Sequence, residues 1–175
     1  MKSPGRRDPT WRTIKGERIA SLHDFIRQTT RDGDRKVEIG TDSLQRTRNT
    51  QFVTVVAILN PGRGGRAIYR REVVPRIRSL RERLLREVWL SVGLGLELND
   101  IIPASNDLTI HIDANPVVTH RSSRYIQELV GMVVSQGFRA EVKPTAWVAT
   151  HAADYVVRSL ARPGAQTAHP FPKDS

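Results

Sequence analysis

The sequence predicts an α/β domain: a five-stranded mixed sheet with helices on both faces and an extra N-terminal helix. Two observations carry this. Three strand-like runs follow one another, "KVEIGTD", "QFVTVVAIL" and "AIYRREVVP", and "NPGRGG" between the last two has hairpin-turn composition. After them, the strand-like "LTIHID" and "RAEVKP" alternate with helical stretches, an order that requires parallel crossovers. A chain of 175 residues suits one domain, able to bury a core without disulfides.

In chain order, residues 1–15 are expected to form a flexible basic N-terminus, 16–162 the folded domain and 163–175 a disordered, proline-containing tail. In "IKGERIASLHDFIRQTTRDG" the apolar residues Ile19, Leu22, Phe25 and Ile26 recur at helical spacing, with Gly33 as terminator. The three strands come next. "SLRERLLREVWLSVGLGLEL" reads as a helix with a broad apolar face, although Gly93 and Gly95 weaken it near its end. "LTIHID" is the fourth strand. "SSRYIQELVGMVVSQG" is a helix with Ser122 or Ser123 as N-cap and Gly137 as stop. "RAEVKP" is the fifth strand, and "THAADYVVRSLAR" a last helix capped by Thr150. The economical topology is 3-2-1-4-5, with strand 1 central and strand 4 parallel beside it.

Composition narrows the chemistry. Cysteine is absent, which excludes disulfides, thiolate metal sites and a cysteine nucleophile. The apolar runs "FVTVVAIL" and "LVGMVV" are too short to span a bilayer, and "MKSPGRRDPTWR" lacks a signal peptide's apolar segment. The expectation is a soluble cytoplasmic protein without a membrane partner. Net charge is +10, and 23 of the 28 basic residues are arginine, whose planar fork suits phosphate oxygens. The expected partner is nucleic acid, RNA or DNA. Nine arginines fall between residues 63 and 86, either a track for a phosphate backbone or a solvated hairpin and helix flank.

Against this background the acids stand out. Asp42 ends strand 1 and Asp113 ends strand 4, so adjacent parallel strands would deliver both carboxylates to one sheet end. Glu87 and Asp154 lie on helices able to cover that end. Four such carboxylates repel one another, and a hard divalent cation, Mg²⁺ or Mn²⁺, removes the conflict. A pair of such ions is suited to phosphodiester hydrolysis. Asp42, Glu87, Asp113 and Asp154 are therefore the candidate metal ligands and catalytic residues. Glu82 lies about 140° around the helix from Glu87, and Arg78 and Arg86 at i±4 explain it as a surface pair. Candidate substrate contacts are Ser43, Arg121, Arg124 and Lys143, with His120 a further loop residue near phosphate. His151, one turn before Asp154, is a candidate proton carrier. His111 reads as a core histidine, and Trp89 and Trp147 as core aromatics.

The stretches "IGTDS", "HIDANP", "SSRYIQELVGMVVSQGF", "KPTAW" and "HAADYVV" resemble the ribonuclease H-like YkuK family, from about Lys36 to Arg158. The resemblance implies a ribonuclease H fold in the retroviral-integrase-like superfamily, which uses an acidic cluster with two metals. Position by position, it places that cluster on Asp42, Glu87, Asp113 and Asp154. The family's "TDSQ" is interrupted here by Leu44. Two functions follow as expectations: a metal-dependent nuclease, or a catalytically inactive nucleic-acid-binding module on the same fold. An actin-like phosphotransferase is disfavoured, because "TDSLQR" offers no glycine-rich phosphate turn after its acid.

Overall fold

The computed structural model describes residues 10–31, 34–61, 64–115, 117 and 119–143. Arg12–Thr13 form a short strand, β1, and Leu22–Thr30 the first helix, α1. The helix starts later than apolar spacing alone predicts. Gly16 takes a left-handed φ of 90° in a turn closed by a hydrogen bond from its amide to the Thr13 carbonyl, and the Ser21 hydroxyl caps the helix by accepting from the Asp24 amide at 3.2 Å. Gly33, the expected terminator, lies outside the described residues.

Three long strands follow: β2 (Lys36–Gln45), β3 (Asn49–Leu59) and β4 (Gly65–Pro75). They pair antiparallel in sequence order, Ile39 opposite Val56 and Val56 opposite Ile68. Gly64, at a φ of 81°, closes the β3–β4 turn through its carbonyl to the Asn60 amide. The helix α2 (Leu80–Asn99) then crosses to β5 (Asp107–Ile112), which lies parallel to β2. A short 3-10 turn (Ser123–Tyr125), α3 (Ile126–Val134) and β6 (Arg139–Val142) complete the described chain, with β6 parallel to β5.

The sheet order is β1-β4-β3-β2-β5-β6. The five expected strands are β2 to β6, in the expected order 3-2-1-4-5. The sixth, β1, adds a short pair to the outer edge of β4, from residues assigned by sequence to the flexible N-terminus. Alternation along the strands sends Val37, Ile39, Val56, Ile58, Ile68, Ile110 and Ile112 to one side, where they meet Ile26 of α1, Leu84 and Val88 of α2, and Leu129 of α3 in one core. A smaller cluster of Val53, Val55, Ala57, Ala67 and Tyr69 lies on the opposite face. Helices on both faces are thus not seen among the described residues: α1, α2 and α3 share one core. The last helix expected, from Thr150, lies outside them.

Two local expectations change. Neither Ser122 nor Ser123 caps α3, whose N-cap is Tyr125 without a side-chain bond. Ser122 instead accepts from the Asn115 amide at 3.1 Å, and Ser123 donates to the His120 carbonyl at 2.8 Å, so both serines fold the preceding loop. Trp89 is not core but 68% exposed, on the outer side of α2. Trp147 lies outside the described residues. No described helix is long and apolar enough to cross a membrane.

Candidate functional site

The parallel pairing of β2 with β5 runs from Lys36 opposite Asp107 to Gly40 opposite His111. Continuing that register by two residues sets Asp42 beside Asp113, where β5 has ended and β2 runs on. A cavity of about 460 Å³ opens there, lined by Asp42, Ser43, Arg83, Glu87, Asp113 and Arg121 among others. Glu87 reaches it from α2, since Leu80, Arg83, Leu84 and Glu87 share one helix face. Three of the four sequence-predicted acids therefore meet at one wall. Asp154, and with it His151, lies outside the described residues.

The charges there are strongly coupled. Burial first, and then the neighbouring charges of Asp42 and Asp113, push the Glu87 carboxyl up to about 8. A hydrogen bond from Ser43 and the charge of Arg83 oppose that rise. The Ser43 hydroxyl in turn accepts from Arg83 Nη1 at 3.1 Å, so it bridges a base and an acid. Arg83 Nε is buried without a hydrogen-bond partner among the described residues. Asp42 lies within β2 rather than at its end, because pairing with β3 carries the strand on to Gln45, and its Oδ1 accepts from the Ser43 amide at 2.7 Å. Lys143 forms an ion pair with Asp113 through Nζ and Oδ1. Among the described residues no three His, Asp or Glu side chains converge closely enough to hold a metal ion.

The donor chemistry nonetheless suits a hard cation. Three carboxyl groups face one cavity, and burial first, then the charges of the other two, favour the protonated form of the buried one. A divalent ion is the simplest counter-charge for such a set. Lys143 supplies a monovalent one at Asp113.

Other candidates are distributed unevenly. His120 and Arg121 are exposed and line the cavity. Arg124 does not; its guanidinium lies 5.7 Å over the Tyr125 ring instead. Arg86 pairs with Glu72 at 2.9 Å rather than with Glu82. His111 is buried as expected, but among the described residues it is not satisfied: Glu38 and Glu141 approach its Nε2 at 3.6 and 3.7 Å, and neither ring nitrogen has a hydrogen bond. Burial lowers His111 to about 4, so these approaches are not ion pairs at neutral pH. Arg83 was not singled out by sequence reasoning. Its position four residues before Glu87, on the same helix face, was the available signal.

The family model described as Ribonuclease H-like matches residues 17–158. The uncharacterised protein YkuK of Bacillus subtilis (strain 168) is 27% identical over 126 residues, covering 65% of this chain and 73% of its own. Among solved structures, RNase H1 from the halophilic archaeon Halobacterium salinarum NRC-1 superimposes with a TM-score of 0.40 at 12% identity, over 71% of this chain and 98% of its own. The N-terminal RNase H domain of Rv2228c from Mycobacterium tuberculosis gives 0.35 at 17% identity, over the same shares.

Proposed function

The chain belongs to the ribonuclease H-like family, and from that premise we propose that it is a divalent-metal-dependent nuclease acting on RNA, DNA or their hybrid. One observation carries this reading: Asp42, Glu87 and Asp113, from three separate elements, line the same cavity at the end of the parallel strand pair. These residues, with Asp154 as the fourth candidate by sequence, would hold two Mg²⁺ or Mn²⁺ ions. The ions would supply Lewis acidity toward the phosphodiester and its attacking water. The chain's own groups set the conditions for that. Glu87, pushed up to about 8 by burial and then by the charge of Asp42, keeps its proton at neutral pH, and a bound cation would favour its release. Lys143, paired with Asp113, would be released to meet a phosphate oxygen if a cation took its place. Ser43 orients Glu87 through its hydroxyl, and Arg83 and Arg121 supply guanidinium forks along the cavity wall.

The test is incubation of purified protein with labelled single-stranded RNA, DNA and hybrid duplex, with Mn²⁺ or Mg²⁺ and with chelator. Cleavage is expected to need the metal and to fall at least about 100-fold in Asp42→Asn, the scale of losing one electrostatic contact to a transition state. Cleavage that persists undiminished in that variant sinks the proposal.

A second reading has its own support. The Lys143–Asp113 pair and Arg83 neutralise much of the acidic wall internally, as suits a binding module that does no chemistry. Calorimetric titration with Mn²⁺ separates the two, since only the nuclease reading requires heat of metal binding that Asp42→Asn abolishes.

A further inference from the structure

Beside the acidic cavity, at the same end of the sheet, the chain assembles a second charged feature. The turn between β2 and β3 carries Arg46 and Arg48, and the linker from β4 to α2 carries Arg76 and Arg78; all four are exposed. The two segments are bound together. The Arg76 amide donates to the Arg48 carbonyl at 3.2 Å, Gln45 Nε2 to the Ile77 carbonyl at 2.6 Å, and the Ile77 amide to Thr50 Oγ1 at 2.9 Å. Arginines from distant parts of the sequence are thereby mounted on one platform. None of the four enters an ion pair among the described residues. The flanking acid Glu72 is paired with Arg86, and Glu82 lies in the first turn of α2.

We propose that the Arg46/Arg48/Arg76/Arg78 platform is a phosphate-backbone grip for nucleic acid, separate from the cavity and acting on nucleotides away from it. The proposal rests on the nuclease reading only for what happens in the cavity. Arg46 is four residues beyond Asp42 on an extended strand, about 13 Å at the usual strand rise. At about 3.4 Å of duplex axis per nucleotide of one strand, that is roughly four nucleotides from the cavity. The favoured occupant is nucleic acid rather than a lipid surface. Ile77, between Arg76 and Arg78, is buried, and neither segment offers a large exposed apolar side chain to insert into a bilayer.

The experiment is fluorescence anisotropy with labelled 12-nucleotide RNA and a 12-base-pair DNA duplex, in chelator, from 50 to 200 mM salt. The proteins are full-length chains, all with Asp42→Asn so that binding is read without cleavage. One variant changes Arg46, Arg48, Arg76 and Arg78 to Gln. A control changes the exposed Arg18, Arg27, Arg31 and Arg66 to Gln, with the same loss of charge. Each backbone contact contributes about 0.7–0.9 to the salt slope, so the platform variant is expected to lose about 3 units. Its parent's affinity advantage should then shrink roughly 60-fold across that salt range. The four-Lys version should retain most of the slope, which separates charge from fold damage. A 4-nucleotide RNA should bind parent and variant alike. Equal slopes in platform and control variants overturn the proposal, as does a larger loss of binding to phosphatidylserine vesicles than to nucleic acid. The two readings fail separately: a slope change without cleavage by the native sequence retires only the nuclease, and cleavage without a slope change retires only the platform.

Discussion

Glu38 makes the clearest case for a single side chain controlling stability. Burial, and then the charge of Glu141, raise its carboxyl from 4.5 to about 7, while Lys36 pulls it down. Between those two pH values the folded chain keeps a proton that the unfolded chain releases. Stability therefore falls as pH rises from 4.5 to 7, and the penalty is complete above 7. Glu38→Gln removes it. The variant should match the parent near pH 4 and exceed it at pH 8 by about 1–3 kcal/mol, read from urea midpoints at the two pH values. An equal shift at both would show that the amide acts through packing instead. At this scale the sequence was partly legible. Asp113 follows the end of β5 as read, whereas Asp42, read as the end of its strand, lies inside β2, whose pairing with β3 extends to Gln45. Arg83 and the carboxyl chemistry of Glu38 were hidden, since both depend on neighbours from other elements.

The elements show why periodicity succeeds or misleads. Gly93 and Gly95 weaken α2 on intrinsic preference, yet the helix continues through both to Asn99. A Cβ at Gly95 would sit 3.2 Å from both Ile110 Cδ1 and the Phe138 ring, so the glycine lets α2 approach β5 closely. At Gly93 no described residue outside α2 lies within 4 Å of such a Cβ. Gly93→Ala is expected to stabilise the protein by up to about 1 kcal/mol, the gain from helix preference alone. Gly95→Ala should gain nothing or lose stability, because Ile110 is fully buried and cannot yield freely. Thermal melts of the two variants check the contrast. The early start expected for α1 failed for a related reason: Ile19 keeps helical spacing with Leu22 and Ile26, but its amide donates to the Trp11 carbonyl instead. Trp89 misled because a broad apolar face does not reveal which side another layer covers.

For the whole molecule, strand order was readable because turn chemistry and alternation leave few routes for the chain. "NPGRGG" forces a hairpin, and a helix between strands forces a parallel return. The short strand β1 was not readable, since two residues carry no periodicity. Its place is nonetheless specific: Arg12 pairs with Tyr69 and Thr13 with Ile68, while Arg70 lies 5.3 Å over the ring of the buried Trp11.

That arrangement also bears on self-association. An outermost strand presents unpaired amides and carbonyls that can recruit a neighbouring chain. Here the protein covers part of that rim with its own leading residues, and the tryptophan anchors the cover. Deleting residues 1–15 should uncover it. The shortened chain is expected to self-associate more strongly with concentration than the full-length one in sedimentation velocity, and adding a charge or proline to β4 should reverse the effect. A guard of this kind would make Trp11, Arg12 and Thr13 determinants of assembly, whatever the acidic cavity does.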